Sequence, residues 1–514
     1  MYSIIQSGCP LGIDGMLVSV EADIGNGLPG LSLVGYLASS VREAGDRVRT
    51  ALKNSGYSLP PRRITVSLSP ADIRKDGAGY DLAIAAALLC SMEVIPSEGL
   101  EDYLILGELG LDGSVRGIPG VLPVAHFAAK KGIRKLIVPE ANVEEASCIE
   151  GILVYGVSHL YQMICFLNGE LNISAAQYHP DDRNLPYAEH DMADIRGQHV
   201  MKHGMEIAVA GFHNILLAGA AGAGKSLLAK CLPGIMPPMT YEEQLELTKI
   251  YSVAGLLPPG EGLMRIRPFR SPHTNVSLSA MLGGGAVPKP GEVSLASHGV
   301  LFLDEFPEFS RGTIESLRGP LEDKVVTVSR VRASYSFPAK FMLVAARNHC
   351  PCGFFPDRKK CRCTERQIAD YQNKVSHPIM DRIDIRIEVR PVGVHELLSE
   401  RTGDSSAVYR ERIEAARERQ LRRYRGEDFC FNSELPQRKL GEYIKIDTSQ
   451  EKRLQTVYEQ GDLSARGYFK VLRLARTIAD ISDHEEIREE DLTEALFFRN
   501  VAEEAAKGGE PYAG

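Results

Sequence analysis

The residues best suited to chemistry stand in one short run, Gly219-Ala220-Ala221-Gly222-Ala223-Gly224-Lys225-Ser226, which fits the pattern GxxxxGK[ST]. It follows the apolar segment 215–218 and precedes Leu227-Leu228-Ala229, so a strand enters the run and a helix leaves it. Glycines let successive backbone N–H groups turn inward around phosphate, and the following helix N-terminus adds partial positive charge. In that setting Lys225 reaches the β- and γ-phosphates of a nucleotide, and the Ser226 hydroxyl binds Mg2+. A phosphate loop alone implies binding, not hydrolysis. Its complement is Gly299-Val-Leu-Phe-Leu303-Asp304-Glu305, where four apolar residues run straight into two carboxylates. Asp304 is expected to hold the Mg2+ shell and Glu305 to polarise the attacking water. Asn348, ending the next predicted strand, is placed to orient that water.

A second cluster is thiol-based. Cys350-x-Cys352 and Cys361-x-Cys363 offer four ligands, enough for a tetrahedral Zn2+ site if the intervening loop folds back; reduced structural cysteines are the alternative. Ten Cys in 514 residues are too few for a disulfide scaffold, which points to a reducing compartment. Hydrophobic residues at 44% and charged residues at 25% fit a soluble globular protein. With no Trp, and aromatics at 7%, the cores must rest on Leu, Ile, Val and Ala. A net charge of −8 excludes a surface basic all over, but not a local basic channel. The opening MYSIIQSGCPLGIDG lacks a basic segment followed by a long apolar run. The apolar stretch 82–90 is far short of the ~20 residues that span a bilayer. A cytoplasmic protein without a membrane partner is expected.

The elements that must position these groups read as α/β. The length predicts two to four domains of ~150 residues each. Residues 1–175 alternate strands (16–24, 31–34, 64–68, 103–106, 135–138) with helices (39–54, 81–90, 122–131). Residues 176–193 are polar, Pro-containing and without apolar period, and read as a linker. Residues 194–395 carry a second α/β pattern, with a helix over 199–210 and strands over 214–218, 299–303 and 340–346. Strands alternating with helices imply a parallel sheet with ligands at its carboxyl ends. Residues 396–514 turn helical, Arg-rich over 409–424, with further helices over 451–459, 464–480 and 489–498. The tail 502–514 is expected to fray.

Taken with Asp194-Ile-Arg-Gly-Gln198, Phe269-Arg-Ser-Pro-His273, Gly283-Gly-Gly285, Pro290-Gly-Glu-Val-Ser-Leu295, Asn348-His-Cys-Pro-Cys352, Met380-Asp-Arg-Ile-Asp384 and Leu463-Ser-Ala-Arg-Gly467, the chain resembles the magnesium-chelatase-like AAA+ ATPases of the ComM/YifB family over nearly its whole length. The resemblance implies ATP and Mg2+ as cofactors, a ribosomal-S5-domain-2-like (Lon-like) domain at 1–175, an AAA+ core at 194–395 and a helical lid at 396–514. It implies that Asn348 is sensor 1, Arg466 the sensor-2 arginine of the lid, and Arg382 an arginine finger inserted by a neighbouring subunit. Such a finger is worth about 10³–10⁵ in rate. Its supply in trans makes hydrolysis depend on assembly, so a ring, a hexamer, is expected. The alternative for each arginine is a surface ion pair worth at most ~1 kcal/mol. His349 stands where the family often has Pro.

Residues 1–175 resemble the proteolytic domain of Lon. In Lys75-Asp-Gly-Ala-Gly79 the nucleophile's position holds Gly79, and its partner lysine falls on Leu122. A Ser–Lys dyad needs a hydroxyl and an amine, so peptidase activity is excluded. The domain reads as a docking or DNA-channel module, with Arg42, Arg47, Arg49, Arg62 and Arg63 as positive charge or as salt-bridged helix faces. Two elements would face the pore of such a ring. One is the Gly-rich insertion 277–290, expected to be flexible, with Lys289. The other is 324–340, where strands 325–329 and 340–346 flank a turn bearing Arg330 and Arg332. The resemblance implies ATP-driven DNA remodelling on single-stranded or branched DNA, as in a branch-migration helicase of recombination and natural transformation. A chelatase-type motor on a protein partner and a nucleotide-switched scaffold are the other classes. The fused Lon-like domain argues against the former, Glu305 and Arg382 against the latter.

Overall fold

Val18, Val20, Ala22 and Ile24 are buried while the residues between them are not, a period of two that makes Asp14–Gly25 a strand with one face on a core. In the computed structural model, which describes residues 2–176, 190–258, 260–330, 333–393, 403–459 and 463–504, this strand pairs antiparallel with Tyr2–Leu11 and Arg63–Ser69. The resulting seven-stranded sheet runs in the order Gly30–Val34, Arg63–Ser69, Asp14–Gly25, Tyr2–Leu11, Tyr103–Ile105, Lys135–Pro139, Leu153–Val157. The helix Asp81–Ser91 is buried at every position, which explains its apolar run without a membrane. The predicted 39–54 helix breaks at Glu43 into Ser39–Arg42 and Ala44–Asn54, the first turn anchored by the Ala38 N–H on the Lys75 carbonyl at 2.9 Å. Tyr2–Leu11, Leu153–Val157 and the helix Leu160–Leu167 were not anticipated. Tyr2, Ile4 and Leu11 are exposed, so apolar residues lie on both faces of the first strand and hide its alternation.

The second sheet is built from Ile215–Gly219 (β1), Phe269–Arg270 (β2), Val300–Leu303 (β3), Met342–Arg347 (β4) and Ile385–Val389 (β5). Its order is β2-β3-β4-β1-β5 and every pair is parallel. β1 and β3 are buried at all positions, as strands covered by helices on both faces must be. Helices Ser406–Arg423, Ala465–Ile481 and Glu489–Glu504 follow. Their apolar faces (Ile413, Val471, Leu474, Ile478, Leu492) join the core that covers Ile215, Leu217, Ile385 and Ile387. Of the expected linker, 177–189 lie outside the described residues. Residues 192–194 form a turn tied to the first of these helices by the Met192 N–H on Ser406 Oγ at 2.9 Å. Of the tail, 505–514 lie outside the described residues, and helix continues to Glu504. Among the described residues no helix is long and apolar enough to cross a membrane.

The two sheets meet through the helices Val121–Lys130 and Tyr241–Ala254. The Tyr241 hydroxyl donates to the Cys148 carbonyl at 3.1 Å, and the Gly120 N–H to the Ser252 carbonyl at 3.1 Å. Lys249 donates to His126 Nδ1. Burial, then the Lys249 charge, lowers His126 to about 4. Glu145 lies in this seam, accepting the Leu122 N–H at 3.2 Å and the Ser252 hydroxyl at 3.5 Å. Burial pushes its carboxyl up to about 7. Below the unfolded carboxyl value, near 4.3, Glu145 is neutral in both states and costs nothing. Between there and about 7 the unfolded chain ionises first, so stability falls as pH rises through that window. Glu145→Gln should therefore raise the melting temperature by several degrees at pH 8 and leave it unchanged at pH 4.5. An equal effect at both pH values, read by calorimetry, would contradict this account.

Candidate nucleotide site

β1 delivers Gly219 to the carboxyl edge of the second sheet. A Cβ there would meet the Val389 carbonyl at 2.4 Å, so glycine is what lets β1 end tightly against β5. Gly222 and Gly224 adopt φ of +80° and +90°, which turn the chain into the helix Lys225–Ile235. Lys225 is buried, and its ammonium donates to the Gly219 carbonyl at 2.8 Å, the Ala220 carbonyl at 2.9 Å and Asn348 Oδ1 at 3.1 Å. Burial pulls its pKa down, with Asp304 and Glu388 opposing. The Ser226 hydroxyl donates to Asp304 Oδ2 at 2.6 Å, and the other oxygen of Asp304 accepts the Glu305 N–H at 2.9 Å. Glu305 sits at φ +50° immediately after β3, exposed on the same rim. The structure thus brings residues 219–226, Asp304, Glu305 and Asn348 together. Amides and an ammonium suit polyphosphate, and a hydroxyl–carboxylate pair suits a hard cation.

The thiol cluster abuts this rim. Cys350 Sγ lies 3.3 Å from that of Cys352 and 3.8 Å from that of Cys361, Cys352 and Cys361 are 3.6 Å apart, and all four sulfurs lie within 4.8 Å of one another. The Phe354 N–H, and then Cys350, hold the Cys352 thiol down to about 6. The Gly353 carbonyl accepts the Ala221 N–H at 2.9 Å, so the cysteine loop touches the phosphate loop directly. His349, where Pro was expected, pairs with Glu388, and its carbonyl accepts Gln372 Nε2 at 3.2 Å. The histidine fastens the start of this turn to β5 and to the end of the helix Glu365–Gln372.

Arg382 and Arg466 are brought to each other, not to the phosphate loop. Both guanidinium groups pair with Glu322, Arg466 at 3.0 Å, and Arg382 also donates to the Pro378 carbonyl at 2.7 Å. The Arg382 carbonyl accepts from Asn214 Nδ2 at 3.1 Å, beside the amino end of β1. A five-residue strand rising ~3.3 Å per residue separates that end from Gly219 by roughly 16 Å. Glu322 gave no signal in the sequence, being one exposed acid in a short helix. Asp384 is a second omission. It accepts the Asn214 N–H at 2.9 Å, pairs with Lys470 and lies 3.8 Å from His213 Nδ1. Burial opposes its charge, yet Lys470 and His213 hold its carboxyl well below the usual range.

The expected contact elements need correction. The 277–290 insertion is ordered. Ser277 Oγ caps the helix Leu278–Leu282, Met281 is fully buried, and Gly283–Gly284 pair with Lys289–Pro290. Its glycines serve close packing, since a Cβ on Gly291 would meet the Gly283 nitrogen at 2.3 Å. Lys289 is exposed at this ladder. Val325–Arg330 pairs with Ala333–Pro338, not with the next segment, which is β4 of the central sheet. Arg330 ends the first hairpin strand, and Arg332 lies outside the described residues. In the first domain Arg47 is committed to Asp81 at 2.8 Å, while Arg42, Arg49, Arg62 and Arg63 are exposed. Leu122 is wholly buried and Gly79 lies against the Ile118 side chain, so neither position of the dyad carries a group that could do its chemistry.

Residues 191–397 match the family described as magnesium chelatase, subunit ChlI; residues 20–142 match subunit ChlI of Mg-chelatase, and 403–499 its C-terminal region. The chain is 40% identical over 501 residues to the uncharacterized protein YifB of Escherichia coli and 38% identical over 502 residues to the competence protein ComM of Haemophilus influenzae, covering 97% of both chains in each case. It is 30% identical over 145 residues to the Lon protease of Geobacter metallireducens, a likeness covering 26% of this chain and 17% of the protease.

The two ion-pair clusters at the amino edge differ in consequence. Asp384 and Lys470 are mostly buried, so Asp384→Ala strands a charge and should cost about 3–5 kcal/mol. Arg466 and Glu322 are both about half exposed, and Arg466→Gln should cost at most ~1 kcal/mol. Thermal melts of the two variants check this; equal losses would refute the distinction.

Proposed function

Because the chain belongs to the magnesium-chelatase-like AAA+ ATPase family that includes YifB and ComM, we propose that it is a ring-forming ATP hydrolase whose turnover remodels DNA, as a branch-migration helicase does. Bound ATP supplies the phosphoanhydride, and Mg2+ offsets the charge on its β- and γ-oxygens. The amides of 219–226 and Lys225 bind the phosphates, Lys225 exchanging its loop carbonyls for phosphate oxygens. Ser226 and Asp304 hold the cation. Glu305 accepts the proton of the attacking water, and Asn348, joined to Lys225, fixes that water's position. The fold is α/β in the first two domains, followed by a helical lid.

One observation carries the assembly: Arg382 leaves the sheet at the edge opposite the phosphate loop. It cannot reach its own nucleotide across roughly 16 Å of strand, so its finger role requires a neighbour. Arg466 shares Glu322 with it and is therefore assigned to the same neighbour's site. The Arg466–Glu322 pair, about half exposed on both sides, is weak enough to exchange for a γ-phosphate, whereas Arg382 is nearly buried against Glu322 and the Pro378 carbonyl and must leave that pocket to do the same. A hexameric ring satisfies this demand. The name of ComM, a competence protein, supports DNA as the polymer acted on. With a net charge of −8, contact must be local, and Lys289, Arg330 and Arg332 are the residues assigned to it. The four thiols of Cys350, Cys352, Cys361 and Cys363 suit Zn2+ in charge and softness.

Glu305→Gln should retain ATP binding and lose turnover by 10²-fold or more, whereas Lys225→Ala should lose binding. Normal hydrolysis by Glu305→Gln would overturn its assignment. Mixing Arg382→Ala with Lys225→Ala subunits should restore part of the activity, since intact sites then meet intact fingers; no recovery in mixed rings would count against action in trans. Forked or single-stranded DNA should stimulate ATPase activity, and salt should weaken the effect steeply as counterion release is lost. Turnover indifferent to every DNA tested would sink the DNA reading.

A further inference from the structure

The 17 residues 348–364 contain neither helix nor strand, yet they carry Asn348 and Gly353 into the nucleotide site. Their own apolar core is small: Cys350, Cys361 and Ile368 buried, with Phe355 and Cys363 against them. A loop of this length within a compact domain needs another staple. The sulfur separations of 3.3, 3.6 and 3.8 Å lie at or within about half an ångström below the edge of a tetrahedron with ~2.3 Å metal–sulfur bonds, about 3.8 Å. They are far beyond the ~2.05 Å of a disulfide. The Phe355 N–H points at Cys350 Sγ at 3.4 Å, the kind of outer contact that steadies a metal-bound thiolate.

We infer that a zinc ion held by Cys350, Cys352, Cys361 and Cys363 clamps the phosphate loop from outside, so that nucleotide affinity depends on metal occupancy. This rests on the ATP-site reading above. The connection is one short path: Cys350 carbonyl to Gly353 N–H at 3.0 Å, then Gly353 carbonyl to Ala221 N–H at 2.9 Å. Gly353 is buried with φ +78°, and a Cβ on it would meet Ala221 Cβ at 2.9 Å. The two loops therefore touch at a point where no side chain fits. Two residues upstream of the cluster, Asn348 receives Lys225. With the thiols unliganded, the cysteine loop loses its staple, the Ala221 amide its acceptor and Lys225 its partner. Ordering of the phosphate loop must then be supplied by the nucleotide, which weakens binding.

The test uses the full chain purified without added zinc. Metal analysis by mass spectrometry should find about one zinc per chain. Cys352→Ser/Cys363→Ser should lose the zinc and bind a fluorescent ATP analogue at least about fivefold more weakly, the loss expected of one hydrogen bond. Gly353→Ala leaves all four thiols in place; it should keep the zinc and weaken nucleotide binding by a similar factor. Less than half an equivalent of zinc in the wild type overturns the inference. So does a folded zinc-free variant with unchanged affinity. If the double variant fails to fold, zinc-loaded Gly353→Ala with wild-type affinity overturns it as well. Failure of the zinc-loaded wild type to bind the analogue at all overturns the ATP-site reading, and this inference with it. Binding that is tight but indifferent to zinc and to Gly353 overturns this inference alone.

Discussion

Parallel pairing of β1 with β4 on one side and β5 on the other fixes everything else about the site. Because all five strands run the same way, each carboxyl end falls on one rim and each amino end on the other. Gly219 ends β1, and Asp304 and Asn348 follow β3 and β4, so residues as far apart in sequence as Gly219 and Asn348 converge without any loop having to find its partner. The same rule sends the Arg382–Asp384 segment, which precedes β5, to the opposite rim. The two sets of residues therefore lie on opposite rims of one subunit, and on the proposed reading the polarity of the sheet is why a neighbour would be needed to bring them together.

The charges on the two rims are stabilised differently, and the difference matches what each must do. At the carboxyl rim Lys225 is satisfied by neutral oxygens, so a phosphate entering the site displaces acceptors and breaks no buried ion pair. At the amino rim Glu322 holds the exposed Arg466 loosely and the nearly buried Arg382 more firmly, while the buried Asp384 locks the start of β1 to the helix Ala465–Ile481 through Asn214 and Lys470. Buried pairs specify geometry more than they add stability. The buried pairs position the segment, and the exposed one leaves Arg466 free to be exchanged.

Local patterns made much of this legible. Val300–Leu303 announces itself as four apolar residues followed by acids, and the GxxxxGKS run declares its strand and helix; both are short-range signals with one physical solution. Strand ends shifted by one or two residues at most. What was illegible depends on the partner rather than on the residue. The Gly283-Gly-Gly285 run reads as flexible, because nothing in the sequence shows that Gly283 and Gly291 must pass within contact of each other. The partner of Val325–Arg330, the short strand Ala333–Pro338, falls where a turn was read, because with Ser334 and Ser336 in it the segment shows no apolar run. Glu322 carries no motif at all; its meaning lies in two arginines 60 and 144 residues away. Long-range electrostatics leaves no periodicity behind.

The helix Tyr241–Ala254 shows how the first domain is tied to this machinery. Its outer face meets the Lon-like domain through Tyr241, Lys249 and Ser252. Its inner face carries Glu243, buried and paired with Arg267 at 2.7 Å and with Arg417 of the helix Ser406–Arg423 at 3.3 Å. Glu246, on the same helix, pairs with His298 at 3.1 Å, one residue before the strand that ends in Asp304 is entered at Gly299 and Val300. Burial opposes the charge of Glu246, but His298 and Lys340 outweigh it and hold its carboxyl down to about 2. Two carboxylates one helical turn apart therefore fasten the lid-side helix and the start of β3 to a single rigid rod. Breaking the buried Glu243 pairs would strand a charge at a cost of several kcal/mol, so the helix Ser406–Arg423 stays fastened to this rod. The hydrogen bonds at Tyr241, Lys249 and Ser252 join the Lon-like domain to this same helix, so one element carries both the buried carboxylates and the seam between the two sheets.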